Sequence, residues 1–201
     1  MRVLVACEFS GAVRDAFIAR GHFAMSCDLL DTEVPGPHYC GDVRDVLGDG
    51  WDLMVAHPPC TYLAVSGLHW NKRKPGRAAL TEEALEFVRL LLDAPIPRIA
   101  LENPIGCISS RICKPDQIIH PWQFGHDASK ATCLWLKGLP LLKPTDVLPG
   151  GRSARRANQT ASGQNKLPPS PDRWKLRSLT YPGIAEAMAK QWGDLPMFGF
   201  Y

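Results

Sequence analysis

The sequence lacks the marks of several protein classes. Its seven cysteines (Cys7, Cys27, Cys40, Cys60, Cys107, Cys113, Cys133) form no C-x-x-C pair, and their odd number argues against a disulfide framework. No metal site is expected, because zinc centres are built on closely spaced Cys and His pairs. No apolar stretch approaches membrane-spanning length, so no membrane association is expected. The opening "MRVLVACEFSG" carries one basic residue and a short apolar run, not a leader pattern. Charge of one sign is missing as well: 23 Lys and Arg against 20 Asp and Glu leave a net +3, so composition alone does not announce a nucleic-acid binder. There are no internal repeats. A reducing cytoplasm is the compartment these absences point to.

What is present is an ordinary globular composition, 45% hydrophobic and 21% charged over 201 residues, long enough to bury a core without staples. The expectation is a single domain over 1–201 with an irregular excursion at about 144–180, where Pro, Gly, Ser, Arg and Asn prevail without any period. Strands are expected at 2–8, at 22–30 with its end near Asp28, at 51–57, at 97–104 and at 131–140. Helices are expected over 12–21, closed by Gly21, over 81–94 with Thr81 as N-cap and Glu82 and Glu83 in the first turn, and over 181–193. Strands alternating with helices predict a mostly parallel central sheet with helices on both faces.

In such a sheet, ligands bind beyond the carboxyl ends of the strands. Each expected strand delivers a polar feature to that edge. The first gives Glu8 and the turn Phe9-Ser10-Gly11, where a glycine lets a ligand approach the following helix N-terminus. The second gives Asp28, a carboxylate placed to accept ribose hydroxyls. "GDVRD" adds Asp42. The strand stopped by Pro58 and Pro59 gives Cys60, and "ALENP" gives Glu102 and Asn103. A thiolate is a strong nucleophile, and a buried carboxyl with a raised pKa can engage a ring nitrogen. Together they suit attack on C6 of cytosine, which turns C5 into a carbanion equivalent. The plain alternative is that Cys60 is a small packed hydrophobe. For the other six cysteines packing is the expectation, whereas the two prolines fix a turn at Cys60 where no packing residue is required.

The residues Phe9-Ser10-Gly11, Pro59-Cys60 and Glu102-Asn103, in that order and each after an expected strand, resemble the motifs of the DNA cytosine-5 methyltransferase family. The likeness is to its short, phage-type members with a reduced target-recognition region. The resemblance implies a Rossmann-like class I S-adenosylmethionine-dependent methyltransferase fold, an α/β class, and S-adenosyl-L-methionine as cofactor. It implies catalytic roles for Cys60, Glu102, Asn103 and Lys130. It implies cofactor contacts from Glu8, Phe9, Ser10, Gly11, Asp28, Leu29, Asp42, Val43, Pro59, Gly183 and Ile184. The implied partner is DNA presenting a flipped or single-stranded cytosine, with a further protein supplying sequence recognition, in a bacterial or phage-infected cytoplasm.

Three departures accompany the resemblance. Thr61 stands where the family has Gln after the cysteine. Lys130 and Thr132 replace the two arginines of the family's Arg-x-Arg strand. The residues from 144 to 180 are too few for an ordinary reader of base edges. Two other readings stay open. "HPPCTY" is similar to the Asp/Asn-Pro-Pro-Tyr motif of exocyclic amino-methyltransferases, and a non-catalytic nucleic-acid binder on the same fold is the third. In the first reading, "NKRKPGR" (71–77) and "GRSARR" (151–156) supply phosphate contacts; as surface features they are equally solvated loops.

Overall fold

The computed structural model describes residues 1–163 and 165–196. Its core is one seven-stranded sheet in the order β3-β2-β1-β4-β5-β7-β6. The strands are β1 (Arg2–Ala6), β2 (Phe23–Asp28), β3 (His38–Cys40), β4 (Leu53–Ala56), β5 (Arg98–Pro104), β6 (Gln117–Ile119) and β7 (Thr132–Lys137). Neighbours from β3 to β5 are parallel, and β7 runs antiparallel to both β5 and β6. This is the doubly wound order with one antiparallel strand inserted before the last. It is the Rossmann-like, class I methyltransferase fold that the sequence resemblance implied.

The helices are α1 (Ala12–Ile18), α2 (Val65–Leu68), α3 (Arg77–Leu92), α4 (Ile108–Arg111), α5 (Arg173–Ser178) and α6 (Pro182–Gly193). α1 and α6 pack together on one face, sealing Val13, Phe17, Ile184, Met188 and Trp192 against β1, β4 and β5. α3 covers the other face through Leu85, Val88 and Leu91, joined by Trp51, Leu63 and Ile108. With both faces covered, β4 reads Leu-Met-Val-Ala with every residue buried, a continuous apolar run and not an alternation. No helix among the described residues is long and apolar enough to cross a membrane.

α1 ends as the sequence predicts. Gly21 lies at φ +80°, its N–H bonds Ile18 O at 2.9 Å and the His22 N–H bonds Phe17 O at 3.2 Å, the two bonds of a Schellman stop. The Phe17 and His22 rings, 5.9 Å apart, supply its side-chain contact.

α3 differs from expectation. It begins at Arg77 after Gly76, which sits at φ +76°, so Thr81 is inside the helix and Glu82 and Glu83 lie beyond the first turn. Thr81 is buried, accepts from Asn71 Nδ2 at 2.8 Å and lies 3.2 Å from Tyr62 O. Tertiary contact, not capping, explains that threonine. β3 and β6 have three residues each, too short to show a period, and neither is evident from the sequence. Between 144 and 180 the regular structure, among the described residues, is the turn Gly151–Ser153 and α5.

Candidate active site at the carboxyl edge of the sheet

The parallel strands bring the ends of β1, β2, β4 and β5 to one edge, and the antiparallel β7 adds its beginning there. On the β4–β5 side, the His57 N–H bonds Ala6 O at 2.9 Å and carries the ladder one residue past β4 before Pro58 and Pro59 break it. Asn103, buried on β5, donates from Nδ2 to Pro58 O at 2.7 Å, so the two strand ends are tied across the turn that carries Cys60. Cys60 opens a short 3-10 turn, and its carbonyl accepts from Leu63 and Ala64 N–H at 3.0 and 2.9 Å. The following loop is clamped to the chain after β5. The Val65 N–H bonds Ile105 O, the Cys107 N–H bonds Leu63 O, and a side chain at Gly106 would meet Leu63 O at 2.0 Å. Only glycine permits that approach.

Glu102 is enclosed, its side chain 14% exposed, and its Oε2 lies 2.9 Å from His57 Nδ1. The sequence reading expected burial to raise this carboxyl. Burial does push it up, but the Lys130 ammonium, the His57 contact and the Thr132 hydroxyl outweigh it, and the net direction is downward. Glu102 is therefore a carboxylate at rest. Cys60 behaves oppositely. The residue is exposed, yet the protein atoms crowding its thiol and the nearby Glu102 charge push its pKa up, against Lys130 and Arg177, which pull it down. The resting thiol is protonated. Lys130 donates from Nζ to Arg177 O at 3.2 Å, which joins α5 to this side of the edge. A narrow crevice behind Glu102 is lined by Lys130, Thr132, Tyr181 and Ile184.

On the β1–β2 side the chain bends sharply. Cys7 takes φ +59°, an unfavourable conformation for a side-chain-bearing residue that costs roughly 1–2 kcal/mol. Glu8 then turns inward. Its Oε1 accepts the Val13 N–H at 2.7 Å and the Ser10 hydroxyl at 3.2 Å, and its Oε2 accepts the Arg14 N–H at 3.2 Å. The carboxylate thus caps α1 from within, at the positive end of its dipole. Gly11, at φ +75°, is covered by Val34, whose Cγ2 would lie 2.6 Å from a Cβ placed there. The fully buried Arg14 holds this cover by bonding Ser26, Thr32 and Val34 O. Phe9 is buried against Trp174 of α5, with ring centroids 5.9 Å apart, and Lys175 pairs with Glu33.

Asp28 closes β2, and its Oδ1 accepts the Leu30 N–H at 3.0 Å. Burial raises its pKa against the bonds from Leu30 and Leu29 and the His38 ring. Leu29 beside it is 75% exposed. Asp42 caps the turn Val43–Asp45 through the Arg44 N–H and pairs with the Arg44 guanidinium at 2.8 Å, while Val43 is buried. Enclosure of the Cys7 thiol raises its pKa, and Asp28, Cys27 and Asp42, in falling order, add to the rise.

The edge therefore gathers Cys60, Glu102, Asn103 and Lys130 on one side, and Phe9 to Gly11, Asp28 and Asp42 on the other. Gly183 serves packing: a Cβ there would meet Phe124 O at 2.1 Å, and its N–H bonds His126 Nε2. Ile184 belongs to the core under α6 and reaches the edge through the Glu102 crevice. Arg156 of "GRSARR" is buried and bonds Gly151 O at 2.8 Å, so it is not available to a phosphate, while Arg152 and Arg155 are exposed. In "NKRKPGR", Arg77 stacks over Tyr62 and donates to Thr61 O at 2.9 Å, bracing the Cys60 turn, and Arg73 and Lys74 flank Trp70. His57 and Arg177 are the charged or titratable neighbours the sequence did not nominate. For His57 the signal was its place three residues before Cys60.

No protein-family model matches this chain, and no curated protein sequence matches it. Among solved structures the chain is similar to the 16S rRNA methylase RmtB, at 14% identity and a TM-score of 0.33, over 68% of this chain and 55% of that one. The match spans about half the length of that protein. The order and direction of the strands, not that likeness, carry the fold.

Proposed function

We propose that this protein transfers a methyl group to C5 of cytosine in DNA, with Cys60 as the nucleophile at C6. The observation that carries the reading is the tie between Asn103 and Pro58, which holds the Cys60 turn and Glu102 together at one sheet edge. Glu102 engages N3 of the base, Lys130 balances the charge of the carboxylate, and Asn103 positions the turn. S-adenosylmethionine would supply the electrophilic methyl group. The residues fit it: Asp28 has a carboxylate to offer a ribose hydroxyl, the cationic donor would lie beside that partly buried acid, and Asp42, paired with Arg44, is the next carboxylate along. Phe9, Ser10 and Gly11 form the turn beside it, and residues 32–36 and α5 lie over that turn. The exposed Arg73, Lys74 and Arg177 are the cations placed to meet a phosphate backbone, and the base is flipped or single-stranded because C5 and C6 are hidden in a duplex.

The test is incubation with methyl-labelled donor and DNA, followed by digestion to nucleosides. Label is expected in 5-methylcytosine and is expected to vanish in Cys60→Ser. Label in N4-methylcytosine or N6-methyladenine instead would replace this reading with the exocyclic one. Absence of donor binding by calorimetry would leave a nucleic-acid-binding role.

A further inference from the structure

The first of the two basic runs is folded onto the Cys60 turn. Asn71 donates from Nδ2 to the Thr81 hydroxyl at 2.8 Å, and that hydroxyl lies 3.2 Å from Tyr62 O. Arg77 donates to Thr61 O at 2.9 Å and lies over the Tyr62 ring. A Cβ at Gly67 would meet Thr61 O at 2.8 Å, so the chain between these ties also passes close against the turn. The segment that carries Trp70 is thus fastened, at Gly67, Asn71 and Arg77, to the two residues that follow Cys60.

The outer surface of this segment has an unusual makeup. From Leu53 to Thr81 there is no acidic residue, while Lys72, Arg73, Lys74 and Arg77 are cationic. Among the described residues no carboxylate pairs with Lys72, Arg73 or Lys74, and all three are exposed. The core tryptophans Trp51, Trp135 and Trp192 spend their indole N–H groups on backbone carbonyls. Trp70 is 39% exposed, and its ring is met by cations, Lys74 Nζ at 4.9 Å and Arg73 Cζ at 5.9 Å from the centroid. An open indole among unpaired cations suits a base on a phosphate backbone, since every base has a π face and the cations follow the phosphates.

We propose that residues 65–74 hold an unpaired nucleic-acid strand, with one base stacked on Trp70 and its flanking phosphates on Lys72, Arg73 and Lys74. The inference rests on the cytosine reading above only in placing the target base at Cys60, and it adds the state of the strand that carries that base. In the free protein Lys74 and Arg73 lie over the ring. Exposed cation–π contacts are weaker than base stacking, so a base displaces them toward its own phosphates. A base inside a duplex has no free face to offer the indole, so the surface selects single strands. That selection needs no domain for reading base edges, because stacking and phosphate contact are tolerant of sequence. An unpaired strand also spares the cost of extruding the cytosine from a duplex.

The test measures binding by the full chain without methyl donor, using a short cytosine-containing oligonucleotide alone and annealed to its complement. Fluorescence anisotropy is expected to show the single strand bound about 10-fold more tightly than the duplex. Trp70→Ala is expected to weaken single-strand binding about 10-fold and to leave duplex binding unchanged, and Trp70→Phe to restore most of the loss. Combining Lys72→Ala, Arg73→Ala and Lys74→Ala is expected to flatten the slope of log Kd against log salt by about 2. With 5-iodouracil beside the cytosine, ultraviolet light is expected to cross-link the wild-type chain at Trp70, located by mass spectrometry, a readout that needs no variant to fold. RNA of the same sequence bound as tightly as DNA would support a surface that holds unpaired strands of either sugar. Duplex bound as tightly as the single strand, or Trp70→Ala binding like wild type, would overturn the proposal. Binding with a cross-link at Trp70, in a protein that makes no 5-methylcytosine, would keep this surface and discard the cytosine reading. Equal 5-methylcytosine on duplex and single strand, unchanged in Trp70→Ala, would do the reverse.

Discussion

The two halves of the strand-end edge are built on opposite electrostatic plans. Around Glu102, one enclosed carboxylate is met by Lys130, His57 and Thr132 and is held ionised. Around Cys7, burial is the main cause of the raised values: it lifts the Cys7 thiol with Asp28 next, lifts Asp28 itself, and pushes Cys27 up to about 12, again with Asp28 next. The first half is complete in itself, clamped by Asn103, Gly106 and Arg77. The second is strained at Cys7, holds Asp42 on the Arg44 guanidinium and Asp28 on the Leu30 N–H, and is roofed by residues 32–36 and α5. The difference bears on where the proposed methyl donor would sit: a positive ligand beside Asp28 would favour the ionised form that burial there disfavours, whereas Glu102 already has its cation in Lys130.

This contrast can be broken by mutation, beginning with the largest effect. Glu102→Gln is expected to lower methylation about 100-fold. It is also expected to cost about 1 kcal/mol of stability at pH 7, since a charge-assisted bond to His57 becomes a neutral one. Because the folded pKa of Glu102 is depressed, wild-type stability from this group is present above the ordinary carboxylate range and lost as the pH falls through the folded value. Thermal unfolding from pH 7 to pH 3 should therefore show the variant and wild type converging in acid.

Asp28→Asn is expected to act with the opposite sign. Its folded pKa is raised, so the ionised form is disfavoured in the fold, and Asn, which mimics the protonated form, should give a higher Tm at pH 7. That gain should fade as the pH drops and wild-type Asp28 itself protonates. Donor binding by calorimetry should weaken in the same variant. If both substitutions shift Tm in one direction, the two halves do not differ as described.

The smallest effect is expected from Trp174→Ala. Its side chain is 57% exposed, so the change in stability should stay within about 0.5 kcal/mol. Its ring packs on Phe9, however, so amide exchange at 173–178 should quicken and donor association should become faster. Unchanged exchange there would mean that α5 is held by Lys130 and Lys175 alone.

Much of this was legible along the chain because the signals were local. The apolar runs of β1, β4 and β5, the glycine stop at Gly21 and the proline break before Cys60 each depend on a few adjacent residues. Edge strands β3 and β6 were not legible, because three residues carry no period and their pairing partners lie far away in sequence. Thr81 misled because a threonine before two glutamates looks like a cap, while its hydroxyl is spent on Tyr62 O and Asn71. Glu8, Gly183 and Arg156 have chemistry suited to ligands, but the fold uses Glu8 to cap α1, Gly183 to seat α6 on Phe124, and Arg156 to hold Gly151.

The sequence by itself determined the sheet with helices on both faces and which residues end its strands, because periodicity and breakers are local properties. Only the tertiary structure decided the charges those residues carry. Glu102 is ionised because β7 runs antiparallel and delivers Lys130 and Thr132 beside it, 28 and 30 positions away, while His57 reaches it from β4. A pKa is set by what stands within a few ångströms of the group, and those neighbours are assembled by strand pairing that no short stretch of sequence displays.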